Sequence, residues 1–118
     1  MSAIRGAICA ENTVEDISRK SLQLVQEIIS RNRLQLRDIE AIFFSVTEDL
    51  NACYPAKAVR EELNLPNVAF MCFAEMKVPN SLSRCIRVCV FANGLFQSEC
   101  IHCYIGEAAV LRRDLEEK

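Results

Sequence analysis

The sequence contains few of the residues on which most catalytic mechanisms depend. It has one histidine, His102, and only three glycines and three prolines among 118 residues. There is no Gly-rich phosphate-binding loop, no Ser-His-Asp set and no run of carboxylates suited to a metal ion. Hydrolases, kinases and redox enzymes need such groups, so the sequence favours none of these classes.

Long apolar runs are also absent. No run approaches the roughly 18 residues of a membrane-spanning helix, and the N-terminus lacks the apolar core of a signal peptide. We therefore expect no membrane association and a cytoplasmic location. The net charge of −2 argues against nucleic-acid binding, which uses a basic face. Hydrophobic residues make up 51% of the chain, so residues 1–118 are expected to form one domain with a substantial core.

Cysteine, by contrast, is abundant, with seven residues. Several fall among Ile, Val and Phe at expected strand positions, where a reduced cysteine packs as a small hydrophobic residue. Cys100 and Cys103 flank His102 in a Cys-x-x-Cys pattern that can supply half a zinc site, but the second half is missing. We expect no metal and no cofactor. A cysteine-based redox or zinc protein stays an alternative that thiol titration and metal analysis would test.

Apolar periodicity predicts strands and helices that alternate at first, after which strands dominate. Strands are expected at 3–10, 41–47, 67–73, 84–91 and 99–105, with a short sixth strand or an extended tail at 108–115. Helices are expected from Asn12 or Thr13 to about Arg31, and from near Ala56 after Pro55. This order predicts an α/β (α+β) fold, a mixed sheet with helices packed on one side. Because the strands are apolar on both faces, we expect another copy of the chain to cover the other side.

An arginine interrupts one of these strands, "RCIRVCVF" (84–91). Alternation places Ile86, Val88 and Val90 on one face and Arg87 on the other, among two cysteines and a phenylalanine. We expect Arg87 to be buried. A buried guanidinium cannot lose its charge and therefore needs a partner.

Other charged or polar residues share this apolar setting. Arg5 precedes Gly6, where a small residue allows a ligand or another backbone to approach. Glu75 ends a strand, and Tyr104 carries a phenol that needs a partner if buried. The remaining candidates are Lys57 and Arg60 on one helix face, and Arg112 and Arg113 near the C-terminus. Each has a purely structural alternative, such as an Arg87–Glu75 salt bridge, but together they predict a site for a small anion, a carboxylate or a phosphate.

Six segments carry a resemblance to a known family. They are "IRGA", "TEDLNACYPAKAVRE", "CFAEM", "CIRV", "HCYI" and "VLRRDL", and their order and approximate spacing resemble the AroH class of chorismate mutase. The resemblance extends from about Ile4 to Leu115. It implies a homotrimer shaped like a pseudo-α/β barrel, with active sites between subunits. It also implies the Claisen rearrangement of chorismate to prephenate, on the route to phenylalanine and tyrosine, without cofactor, metal or covalent intermediate.

The resemblance also implies roles for individual residues. Arg87 would face the breaking ether oxygen, Arg5 would hold a substrate carboxylate, and Glu75 would hydrogen-bond the ring hydroxyl. These three are the predicted catalytic residues. The predicted substrate-binding residues are these three together with Tyr54, Ala56, Lys57, Arg60, Cys72, Tyr104, Leu111 and Arg112. No base or helix N-terminus is evident beside Cys72, so it is not predicted to be a nucleophile.

The sequence departs from the family pattern at a few positions. Tyr54 stands where the family has a phenylalanine, Arg113 replaces a proline, and the segment after Arg5 is one residue shorter. "VPNSLSR" lacks a glycine pair before the strand of Arg87. A non-catalytic trimeric module that binds a small carboxylate is the alternative function, although such a module would not need Arg87 opposite a neutral ether.

Overall fold

The computed structural model describes residues 1–111, and residues 112–118 lie outside the described part of the chain. Within residues 1–111 the chain forms five strands and two α-helices, with short 3₁₀ turns between them. Their bounds are β1 Ser2–Cys9, α1 Val14–Arg31, β2 Ile39–Val46, α2 Pro55–Leu63, β3 Ala69–Ala74, β4 Cys85–Ala92 and β5 Cys103–Ile105. The 3₁₀ turns are Leu36–Asp38, Gln97–Glu99 and Gly106–Ala108.

The five strands form one mixed sheet in the order β3-β2-β4-β1-β5. The central strand β4 runs antiparallel to both neighbours, β1 and β2. The edge strands β3 and β5 each run parallel to their single partner, β2 and β1 respectively. The predicted mixed sheet is therefore confirmed, and the strand of Arg87 lies at its centre.

Both helices pack on one face of this sheet. Helix α1 is capped by Thr13, whose hydroxyl accepts a hydrogen bond from the backbone N–H of Asp16 at 3.0 Å, as the capping pattern predicts. Ile17, Leu24, Val25 and Ile28 of its apolar stripe are fully buried, and Leu24 and Ile28 lie against Gly6 of β1. Pro55 occupies the first turn of α2, where a missing N–H costs nothing.

Neither α1 nor α2 covers the opposite sheet face, where Ala108 of the last 3₁₀ turn packs over Ala7 and Cys85 and the rest stays more open. Its apolar side chains are partly open to solvent, and Met71 and Phe73 on β3 are 51% and 46% exposed. Phe43 contacts Phe73 and Phe91 edge to face on this side, with ring centroids 6.0 and 5.2 Å apart. Such a surface is consistent with the expected cover by another copy.

Two predicted strands differ from the structure. The segment predicted at 99–105 becomes a strand only at Cys103, because Asn32 at the end of α1 takes the main-chain hydrogen bonds of Ile101. Asn32 Oδ1 accepts from the N–H of Ile101 at 2.7 Å, and its Nδ2 donates to the carbonyl at 3.0 Å. The sixth strand is wrong for residues 108–111, which form helical turns after Gly106 (φ +61°). The rest of that prediction lies outside the described residues.

Candidate active site

The predicted arginines of β1 and β4 lie on the face that the helices leave open. In the strand register Arg87 has Ala7 on one side and Ser45 on the other. Arg5 pairs with Cys89, two residues further along β4. Since alternate residues of a strand share a face, Arg5 and Arg87 project to the same side. They line one shallow cavity of about 280 Å³.

Glu75 joins this pair from the end of β3. Its backbone N–H donates to the carbonyl of Val46 at 2.9 Å, which extends the β2–β3 pairing by one residue. Its Oε2 accepts a hydrogen bond from the Ser45 hydroxyl and lies 3.9 Å from Arg87 Nε. That separation is longer than a charge-assisted hydrogen bond, so the salt bridge left open by the sequence exists only as a loose pair. The Arg87 guanidinium and the Glu75 carboxylate thus place a cation and a hydrogen-bond acceptor next to each other.

The prediction that Arg87 is buried is wrong for the single chain. Its side chain is 45% exposed, and that of Glu75 is 25% exposed. The physical reason is that Arg87 lies beside the small Ser45 on the face that α1 and α2 leave open, and the packing of Ala108 over Ala7 does not cover its side chain. The guanidinium therefore reaches solvent without paying a full desolvation cost.

A larger cavity of about 700 Å³ opens at the same end of the sheet. Glu75 and Arg87 line it, together with Leu82 from the connection between β3 and β4 and Leu111 from the last described turn. This volume falls in the range of small-molecule sites, roughly 300–1,000 Å³. The structure thus brings Arg87, Glu75 and Leu111 together in one chain.

Tyr104 lies on the same face as Arg87. It pairs with Ala7 across β1 and β5, and it packs with Leu111 around the buried pair Cys85 and Ala108. Its side chain is half-buried. The prediction that Tyr104 and Leu111 belong to one site is compatible with this packing.

Arg5 is positioned through its main chain. Its backbone N–H donates to Nδ1 of His102 at 2.9 Å, while its side chain remains exposed. Burial, with a contribution from the charge of Arg5, lowers the pKa of His102, so the ring is a neutral acceptor at pH 7. Burial raises the pKa of the Cys89 thiol, and Arg5 offsets part of that rise. His102 thus anchors β1 beside the candidate site.

Three other predicted residues lie on the helix side of the sheet. Cys72 pairs with the fully buried Phe44, and Tyr54 immediately precedes α2. Tyr54 and Cys72 line a separate cavity of about 490 Å³, and Tyr54 is 74% exposed. Ala56 is buried in the first turn of α2.

The predicted site residues therefore form two groups on opposite faces of the sheet. Lys57 and Arg60 are exposed on α2 and belong with the helix-side group. One chain does not bring this group to Arg87, so a site that uses both groups needs two chains. Arg112, the remaining predicted residue, lies outside the described residues, as does Arg113.

The surroundings of Cys72 differ from the sequence-based expectation in one respect. A helix N-terminus does lie beside it, since its thiol hydrogen-bonds with the backbone of Ala56 in the first turn of α2. Burial nevertheless dominates and raises the pKa of the Cys72 thiol above its usual value. The prediction that Cys72 is not an activated nucleophile agrees with this pKa.

The apolar pattern of 41–47 predicts a strand but no site residue within it. In the structure Ser45 of this strand donates a hydrogen bond to the Glu75 carboxylate. A signal was available, because Ser45 shares the alternation of Ala41 and Phe43 and is therefore a polar residue on the open face.

No disulfide bond joins any of the seven cysteines, all of which lie within residues 1–111. Cys100 Sγ contacts the carbonyl of Phe96, and His102 Nδ1 is occupied by the backbone of Arg5. Residues 1–111 contain no cluster of three or more His, Cys, Asp or Glu side chains able to hold a metal ion. These contacts give the zinc alternative no geometric support in the described part of the chain.

Comparison with known proteins identifies the family. The model of the family described as chorismate mutase type I matches residues 1–115. The chain belongs to this family. Within it, chorismate mutase AroH of Bacillus subtilis is 40% identical over 114 residues, which are 95% of this chain and 90% of the relative. Chorismate mutase AroH of Thermus thermophilus is 38% identical over 116 residues, 96% of this chain and 94% of the relative.

The fold agrees with a solved member. The structure of the chorismate mutase from Clostridium thermocellum matches with a TM-score of 0.89 at 37% identity, over 93% of this chain and 99% of that one. The predicted fold class, and the predictions of a chorismate mutase and thus an isomerase, are confirmed. In residues 1–111 no helix is long and apolar enough to cross a membrane. The residue roles, the homotrimer and the cytoplasmic location stay predictions.

Proposed function

We propose that the chain converts chorismate to prephenate in sites formed between the subunits of a homotrimer, as a step towards phenylalanine and tyrosine. The observation that carries the proposal is the presentation of Arg87 from the central strand, beside Glu75, on a sheet face that neither α1 nor α2 covers. The remaining predicted contacts, Tyr54, Ala56 and Cys72, lie on the other face, from which a neighbouring chain would supply them.

The rearrangement is unimolecular, breaking a C–O bond while a C–C bond forms. In this proposal Arg87 donates to the ether oxygen, where negative charge develops, and Glu75 accepts from the ring hydroxyl. Arg5 and Tyr104 hold carboxylates, and together they keep the substrate in its compact reactive conformer. A preorganised donor of this kind contributes about 3–4 kcal/mol to lowering the barrier, so the holding of the conformer supplies the rest of the roughly 8 kcal/mol that a 10⁶-fold acceleration requires.

The proximity of Glu75 supports this role for Arg87. The carboxylate lies near enough to restrain the guanidinium but, at 3.9 Å, does not close on it. The guanidinium therefore keeps donors for a ligand. Lys57 and Arg60, exposed on α2, add positive charge at the proposed entrance, which favours the approach of a dianion. Arg112 and Leu111 complete the C-terminal wall in this proposal.

The test follows the ultraviolet absorbance of chorismate with the wild type and with Arg87→Ala. We expect rapid loss with prephenate as the product, and a decrease in kcat of at least about 100-fold in the variant. Arg37→Ala, which removes an exposed arginine in the turn Leu36–Asp38, is the matched control and should retain activity. Saturable chorismate binding without turnover by the wild type would instead favour the carboxylate-binding module.

A mixing experiment tests whether the site spans two chains. Arg87→Ala and the charge-reversed Lys57→Glu/Arg60→Glu should each be inactive alone. Co-refolding them should restore activity, because in a cyclic trimer about a quarter of the interfaces would pair a chain with intact Arg87 and one with intact α2. No restoration would contradict the interfacial site. Sedimentation should give three times the 13.4 kDa chain mass.

A further inference from the structure

We propose that Ser45 is a positioning residue, which fixes the Glu75 carboxylate so that one oxygen faces the ligand and the Arg87 guanidinium stays available. This inference rests on the proposed function and adds to it a residue that none of the predicted roles includes. The hydroxyl of Ser45 donates to Oε2 of Glu75. With Oε2 engaged, Oε1 is the oxygen left to accept from a substrate hydroxyl.

The main chain brings these two side chains together from one strand. Ser45 and Val46 are consecutive on β2, and the carbonyl of Val46 accepts from the N–H of Glu75 at 2.9 Å. Glu75 is thus held at its backbone by one residue of β2 and at its carboxylate by the preceding one. This two-point attachment matters because Glu75 lies beyond the end of the edge strand β3 and has no further strand partner there.

The alternative position of the carboxylate explains why a hydroxyl is needed. The same Oε2 lies 3.9 Å from Arg87 Nε, and Ser45 is the register partner of Arg87. A freed carboxylate would gain by moving onto the guanidinium and forming a charge-assisted pair at 2.7–2.9 Å. That pair would occupy donors of Arg87 and acceptors of Glu75 that the substrate needs. The Ser45 hydroxyl competes with this collapse.

The test compares Ser45→Thr with Ser45→Val. The two variants have the same shape, and both suit a strand, but only threonine keeps the hydroxyl. We expect Ser45→Thr to stay near the wild type and Ser45→Val to lose roughly tenfold or more in kcat/KM, as for a lost hydrogen bond to a charged group. Thermal melts should coincide for the pair, and Ser45→Ala, which adds no volume, should behave as Ser45→Val does.

Repeating the comparison in a protein that also carries a substitution of Glu75 distinguishes a positioning role of Ser45 from a purely structural one. In Glu75→Ala, where no side-chain acceptor remains at position 75, the difference in residual kcat/KM between threonine and valine at position 45 should disappear, because it acts through the carboxylate. Equal kcat/KM for the two Ser45 variants, or a difference that persists in Glu75→Ala, would overturn the proposal. If the wild type does not turn over chorismate, the proposed function fails instead. The comparison is then made on the Kd for chorismate by calorimetry, where equal values for the two variants would overturn the positioning role.

Discussion

Replacement of Gly6 by alanine tests how closely β1 is enclosed. A Cβ at this position would lie 2.9 Å from the carbonyl oxygen of Cys103 and 3.0 Å from Cδ1 of both Leu24 and Ile28, whereas ordinary contacts begin at 3.4 Å. Overpacking of this kind costs about 1–3 kcal/mol, and removing a strand glycine gains about 0.5–1 kcal/mol. The cost of the clash exceeds this gain, because the contacted oxygen of Cys103 belongs to the backbone of β5, which is paired with β1 and cannot move aside freely. We expect Gly6→Ala to lower the free energy of unfolding by about 1–2 kcal/mol.

The assay is urea unfolding at matched protein concentration, because an oligomer's stability depends on concentration. Leu24→Ala alone should cost about 2–5 kcal/mol. The double variant Gly6→Ala/Leu24→Ala should cost less than the sum, since one of the clashing methyl groups is gone. A Gly6→Ala protein as stable as the wild type would refute the reasoning. The small residue noted in the sequence would then not be required by the approach of β5.

Two further predictions concern titrating groups. A hydrogen bond from the backbone of Glu11, with help from Arg19, lowers the pKa of Asp16. The ionised carboxylate therefore stabilises the folded state at pH values above its unfolded-state pKa, and this stabilisation is lost as pH falls through the folded-state pKa. The difference in unfolding free energy between the wild type and Asp16→Asn should therefore be largest near pH 7 and shrink below about pH 4 in urea titrations; a difference independent of pH would contradict this. Burial raises the pKa of the Cys85 thiol to about 12, so mass spectrometry at pH 8 should find it alkylated long after the partly exposed Cys53, and rapid labelling of Cys85 would be inconsistent with its burial.

The sequence predicted the helices and the inner strands well because their signals are local. The alternation in "RCIRVCVF" assigns Ile86, Val88 and Val90 to the core, and all three are buried. The cap at Thr13 and the proline at position 55 mark the helix starts, since each satisfies or removes an N–H that the helix leaves unpaired.

The features that the sequence does not predict depend on contacts between segments that are distant along the chain. Nothing near Ile101 reveals that Asn32, 69 residues earlier, takes its main-chain hydrogen bonds. The exposure of Arg87 could not be predicted either, because it depends on which face the helices cover. Likewise, the sequence resemblance gathered Arg87 and Cys72 into one site, and only the strand register shows that they lie on opposite faces of one chain.

The central place of β4 has a consequence for how the site can change. Arg87 stands on a strand that is hydrogen-bonded on both sides, so its main chain is exposed only when most of the sheet opens. Glu75 lies past the end of an edge strand, where local opening costs far less. The position of Arg87 thus depends on the global stability of the sheet, whereas Glu75 and the connection 76–83 that follows it lie where local opening is easier. Substitutions in residues 76–83 can therefore change the lining of the cavity while the charge of Arg87 stays in place.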